Sequence, residues 1–540
     1  MKDVFDYLQK LKLDKELIDL SNKKLPCLPD LTKFTNINIF HCYNNDLKSL
    51  ILNTNVFSSL KELKCHNNQL TSLPSLKSLT SLKILICHHN YLKQLPILPS
   101  SLVILKCEHN QLTLLPSLNT LQLLQILHCQ HNKLTCLPSL DKSTSLQELL
   151  CGNNQLTVLP SLMSLSCLKK LFCQNNQLTS LPSLNALPFL QELKCDENQI
   201  SFLPSFHALS SLKNFSCRSN QIISLPLLDS LTLLEELKCD YNKLNFLPSL
   251  NTLTSLRIIY CNNNNLISLP SFDKLYSLKK IFCNNNELTS LPSLDSLSLL
   301  EYLVCHSNYI TYLPSFHALS SLKMFSCCAN DLSYLPSLDT LISLTELNCD
   351  CNNLLYLPSF DAFTSLKELT CFDNKLTSLP FLGNCSSLHY LNCSNNELTV
   401  LPSYLEKMNL HVLYCDNNRF TTLPSLSPSL EILSCDNNKL TSLPSLSSII
   451  RIEFFGNNIY EIINDLQTEK IIKNNDIFNR FREIYFLSKF KKKFLSWMWK
   501  TREERIKERF NPKHLYCFLD NNIDNENLDL DAFLKDFETN

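Results

Sequence analysis

Glycine is nearly missing from this 540-residue chain: Gly152, Gly383 and Gly456 are the only three. A phosphate-cradling loop needs several glycines close together so that backbone amides can approach the ligand. P-loop, kinase and dinucleotide-fingerprint motifs are therefore excluded. Long apolar runs are missing too. No stretch of about 18 apolar residues occurs, so no membrane-spanning helix is expected. The N-terminal segment MKDVFDYLQKLKLDKEL lacks the uninterrupted apolar core of a signal peptide. Net charge is also lacking, at a formal −1 from 49 Lys/Arg and 50 Asp/Glu, which removes any whole-molecule attraction to polyanions. The balance is uneven along the chain. Residues 470–513 hold 14 Lys/Arg against 5 Asp/Glu, a net of +9, and residues 514–540 hold 7 acids against one Lys, a net of −6.

What is abundant is cysteine, 26 residues. A disulfide scaffold would fit a short secreted chain, but this chain is long and shows no leader. A reducing, cytosol-like compartment with free thiols is expected. The spacing of the cysteines is more informative than their number. From Cys42 and Cys65 to Cys415 and Cys435 they form a series of 18 intervals, of which 15 are 22 residues, two are 20 and one is 23. So regular a period means a stack of equivalent units. One unit reads LKELKCHNNQLTSLPSLKSLTS, Leu60 to Ser81, with the frame Leu60, Leu63, Cys65, Asn68, Leu70, Leu73, Pro74. Leu63 and Cys65 alternate with Glu62, Lys64 and His66, the period of two that marks a short strand with one buried face. Asn follows every series cysteine by three residues, and its amide can both donate to and accept from loop backbone. The next Leu-Pro ends strand pairing, because proline has no N–H to give. Degenerate copies at Leu20/Lys23 and Phe454/Asn457 flank the series, giving about 21 units.

The pattern L-x-x-L-x-C-x-x-N-x-L-x-x-L-P resembles the leucine-rich-repeat family over roughly residues 15–463. That resemblance implies an α/β-type repeat solenoid: a curved, right-handed superhelix with a parallel sheet on its concave side. It also implies a protein-interaction scaffold rather than an enzyme. Residues 1–14 place Val4, Phe5, Leu8 and Leu11 at helical spacing, which predicts a short amphipathic cap. Residues 464–540 form a basic and then acidic region. Within it, Asp476–Phe510 is predicted to be helical, with Phe486, Phe490, Phe494 and Trp497 on one face and Pro512 as the stop. The stretch RFREIYFLSKFKKKFLSWMWK, together with the Asn/Lys/Ile-rich style, resembles the tails of leucine-rich-repeat proteins of Mimivirus-type giant DNA viruses. This implies host cytoplasm or virion as the setting.

Candidate sites are surface features. The cysteine ladder reads as apolar filler, since zinc sites gather four ligands at short spacing. In the repeat frame His66 and His88 share one column, while His89, His109 and His131 share the next. Such columns could hold a metal or titrate near pH 6; the plainer reading is a solvated polar rim. Ile258, Tyr260, Phe282, Tyr302 and Val304 are predicted to point outward from three consecutive strands, an apolar patch of the kind that marks interaction sites. The preferred hot spot is Tyr260, Phe282 and Tyr302. Residues 470–513 could pack against the last repeat or a partner, lie on an anionic membrane, or bind nucleic acid through phosphate contacts and stacking. For catalysis, Cys517 near His514 stands in no recognisable motif. Some bacterial leucine-rich-repeat effectors carry a C-terminal ubiquitin ligase, but the 77 residues after the repeats are too few for one. No catalytic residue, metal or cofactor is expected. The function expected is protein recognition through the concave face, with nucleic-acid association through 470–513 as the alternative.

Overall fold

The computed structural model describes residues 2–457, apart from 35–36 and 445–448. The C-terminal region 464–540, with the helix predicted over Asp476–Phe510 and with Cys517 and His514, lies outside the described residues, as do the side chains of Val4 and Phe5. The described chain forms twenty-one three-residue strands, from β1 (Leu17–Asp19) to β21 (Arg451–Glu453). Each pairs in parallel with the next in the sequence, so one 21-stranded sheet runs the length of a solenoid. The register is simple: Glu62 faces Ile84, Leu63 faces Leu85 and Lys64 faces Ile86. Every residue therefore lies beside its equivalent in the neighbouring coil, and the sequence columns become physical columns.

Three residues suffice for each strand because the cysteine extends the ladder. The Cys65 amide donates to the Ile86 carbonyl at 2.9 Å. The central residue of each strand, most often leucine, is buried, as is the cysteine that follows in the coils of Cys42 to Cys435, for example Leu63/Cys65 and Leu237/Cys239. After the cysteine the chain must turn, and the residue two positions on adopts a left-handed conformation in coil after coil, with φ from 51° to 58° between Asn44 and Asn437. Asparagine tolerates this region best, and it holds the position in nine of the coils from Asn44 to Asn437.

The asparagine three residues after the cysteine ties two coils together. Asn242 donates through Nδ2 to the carbonyls of Cys239 (3.2 Å) and Asp240 (3.3 Å) in its own coil and of Cys217 (2.9 Å) in the preceding one. Its Oδ1 accepts from the Ile222 amide of the preceding coil at 3.0 Å. The outer side returns through successive i to i+3 turns, as in Leu79 to Leu76 and Leu82 to Leu79, both 3.0 Å. Leucines at these steps complete the core. Where the strand leucine is replaced by phenylalanine, a second phenylalanine packs against it: edge-on in Phe206–Phe215 at 5.0 Å and Phe316–Phe325 at 4.9 Å, and tilted in Phe40–Phe57 at 5.1 Å.

The ends close the core differently. At the N-terminus the helix α1 (Lys2–Lys10) buries Leu8, with Leu11 partly buried beside it. At the other end Asn457 repeats the asparagine bridge to Cys435 and Phe454. Among the described residues no helix is long and apolar enough to cross a membrane.

Candidate interaction surface

Outward side chains come from the first and third strand residues and from the two residues after each cysteine. They form four parallel columns along the sheet face. The register brings some of the sequence-predicted residues together and separates others. Tyr260 faces Phe282 across neighbouring strands, and their rings stack at 4.6 Å with planes 7° apart. Tyr302 does not join that column. It lies opposite Lys280, while Phe282 faces Val304. The Lys280 ammonium sits 4.6 Å from the Tyr302 ring centre, and that of Lys238 lies 6.0 Å from the Tyr260 ring. The aromatics are half-buried rather than fully exposed, and Val304 is buried at 8%. The patch is thus one stacked pair plus a diagonal tyrosine, held between two lysines whose charge favours the ring faces. Towards the N-terminus the short side chains of Asn214 and Ser216 leave a shallow recess rimmed by Glu192, Lys194, Glu236 and Lys238.

The histidines form two stacks, as the columns require. Tyr43, His66 and His88 lie in one, at 4.5 and 4.4 Å between ring centres; His89, His109 and His131 lie in the other, at 4.1 Å each. A contact of 2.9 Å between the Nδ1 atoms of His88 and His89 joins them. The second stack occupies the left-handed position, φ 51° to 54°. Face-to-face rings aim their in-plane nitrogens sideways, away from a common point. No group of three or more His, Cys, Asp or Glu suited to a metal occurs among the described residues. Titration near pH 6 is corrected for His66 and His88, and burial, with His131 and His89 beside it, also lowers His109 from its ordinary value. Burial first, then the charge of Lys64 and of His41 and His89, pulls His66 down to about 4; burial, with His66 and His89 beside it, does the same to His88. Both are neutral at physiological pH.

Two features escaped the sequence reading. Tyr312, Tyr334 and Tyr356 occupy the same position of consecutive coils, beyond the sheet edge, and are 52, 45 and 57% exposed. Their spacing of 22 residues was the available signal. The second is a carboxylate group at the last coils. Asp416 accepts hydrogen bonds from the Ser394 and Ser434 hydroxyls and the Asp436 amide, and a Glu453 carboxylate oxygen lies 3.0 Å from the Ser434 hydroxyl oxygen. Burial, reinforced by Asp436 and Glu453, pushes the Asp416 carboxyl up to about 6.

Comparison with known proteins places this geometry. The family described as Leucine Rich repeats (2 copies) matches residues 58–100, 144–186, 167–206 and 364–403. YopM from Yersinia enterocolitica is 31% identical, with 85% of this chain and 90% of that chain covered and a TM-score of 0.67. The chain belongs to the leucine-rich-repeat family. A leucine-rich-repeat protein of Leptospira interrogans is 29% identical over 67% of this chain and 91% of its own, with a TM-score of 0.53. The leucine-rich-repeat ectodomain of the Arabidopsis thaliana receptor kinase GASSHO1/SCHENGEN3, solved in complex with Casparian Strip Integrity Factor 2, is 25% identical. It covers 79% of this chain and 59% of its own, with a TM-score of 0.60. No curated protein matches. Leucine-rich-repeat solenoids are in general protein-interaction scaffolds.

Proposed function

We propose that this leucine-rich-repeat chain binds a protein partner through its sheet face, with the Tyr260–Phe282 pair as the anchor. The observation that carries the reading is the stacked, half-buried ring pair flanked by Lys238 and Lys280. Large rigid aromatics on a packed platform give contact area at low entropic cost, and such residues dominate binding energy. Tyr302 extends the anchor diagonally. The histidine stacks around His66, His88, His89, His109 and His131 are the second contact region proposed: planar, neutral where buried, and able to hydrogen-bond. The partner proposed is a host or viral protein in the cytoplasm or virion, on the strength of the C-terminal tail's likeness to giant-virus proteins. The receptor ectodomain solved with its bound factor supports recognition as the role of such a solenoid.

A double change of Tyr260→Ala and Phe282→Ala tests this. The expected result is loss of the wild-type partner set in quantitative affinity purification, with an unchanged melting profile. Hot-spot truncations typically cost about 2 kcal/mol or more each. An unchanged partner set in the folded double variant overturns the reading.

A further inference from the structure

Charge is distributed unevenly along the sheet face. In the thirteen coils of Cys42 to Cys305 the four columns carry eight acids and seven bases, a near balance. In the last seven coils, from Met324 to Gly456, they carry Glu346, Asp350, Glu368, Asp373, Asp416, Asp436 and Glu453 against Arg451 alone. Three basic side chains nearby are engaged with carboxylates: Lys323 with Glu301 at 2.7 Å, Arg419 with Glu397 at 3.0 Å, and Arg451 with Glu453 at 2.6 Å. Between these acids the same strands present Tyr390, Val412, Tyr414 and Ile432. This third of the face is therefore aromatic and acidic together.

The chain carries the complement of that face. Residues 470–513 hold a net +9, with Phe486, Phe490, Phe494 and Trp497 at helical spacing among their lysines and arginines. We propose that residues 470–513 of this chain dock in cis on the sheet face of the last seven coils. The tether is long enough. Twelve residues separate Asn457 from Lys470, a reach of roughly 40 Å, whereas six strand spacings span about 30 Å. A short tether also gives the segment a high effective concentration over any free basic competitor. Docked there, the segment covers the acidic third and leaves the Tyr260–Phe282 region open. A partner for the acidic third must displace it.

Both tryptophans of the chain, Trp497 and Trp499, lie in this segment, so tryptophan fluorescence of the full chain reports on it alone. Neutralising the four carboxylates outside the buried cluster, by Glu346→Gln, Asp350→Asn, Glu368→Gln and Asp373→Asn together, is expected to red-shift the emission and raise acrylamide quenching. High salt should do the same to the wild type, because the screening length falls to about 3 Å at 1 M. The pair Glu62→Gln and Glu148→Gln, on the balanced part of the face, should change neither. Carbodiimide cross-linking of the full chain, mapped by mass spectrometry, should join Lys491–Lys493 to acids between 346 and 373. The proposal is overturned if emission and quenching are unchanged in a quadruple variant of wild-type circular dichroism. It is equally overturned if cross-links run only to the acidic residues 520–538, or only between isotopically distinct copies.

Discussion

At the residue scale, one asparagine carries more of this fold than its polarity suggests. Asn242 is buried, and four backbone groups in two coils depend on its amide. Alanine would leave the Ile222 N–H without a partner inside the core, at about 1–3 kcal/mol, while the Cys217 carbonyl keeps its bond from Asn220. Asn242→Ala is therefore expected to lower stability by roughly 1–3 kcal/mol. Amide exchange should rise in the coils on either side of Asn242 and stay unchanged near the termini, because each coil contacts only its neighbours. Uniform exchange along the solenoid would contradict this. The ladder cysteine is a different kind of residue. It is small enough to pack every 22 positions, and burial pushes thiols such as Cys65 and Cys151 up to about 12. As neutral thiols they serve as core atoms rather than nucleophiles.

At the element scale, the coil ends gather charges that single strands would not. The Asp416 carboxyl meets groups from three further coils, Ser394 in the one before, Ser434 and Asp436 in the next and Glu453 in the one after that. Its folded value of about 6 lies above the unfolded value near 3.9. A raised value means that the folded state holds the proton more tightly. Its stabilising share is thus complete below pH 4 and lost as pH rises through 6. Asp416→Asn keeps an acceptor for Ser434 and the Asp436 amide without the charge. It is expected to raise the unfolding free energy at pH 7 by about 1–3 kcal/mol, and to give little gain at pH 4. Denaturant titrations at the two pH values check this; an equal effect at both would contradict it. The histidine stacks follow the same logic in reverse. Burial of His66 and His88 disfavours the charged form, so acidification towards pH 4 charges rings that the coils hold neutral.

At the scale of the whole molecule, the balanced and acidic thirds of the sheet face give a polyanion little to bind, so any nucleic-acid affinity must come from residues 470–513. If that alternative holds, Lys491→Glu, Lys492→Glu and Lys493→Glu together should abolish retention on single-stranded DNA and flatten its salt dependence. Retention unaffected by these changes would remove the alternative. The solenoid itself was legible from the chain, because a 22-residue period with alternating Leu and Cys allows one strand per unit and one direction of stacking. Its asparagine bridges were half legible: the side chain's capacity to donate and accept was clear, but not that it serves the preceding coil as well. Tyr302 shows where periodicity stops. The 22-residue spacing sets it opposite Lys280 rather than in the Tyr260–Phe282 column, yet only the packed coils show the Lys280 ammonium 4.6 Å from its ring. The sequence by itself determined the repeat, the buried columns and the charge carried by each segment, since these depend on period and residue type. The tertiary structure alone decided which rings stack, which histidines are neutral and which carboxyls are pushed up. Those properties depend on distances and burial between residues some 20 positions apart, which exist only once the coils lie against one another.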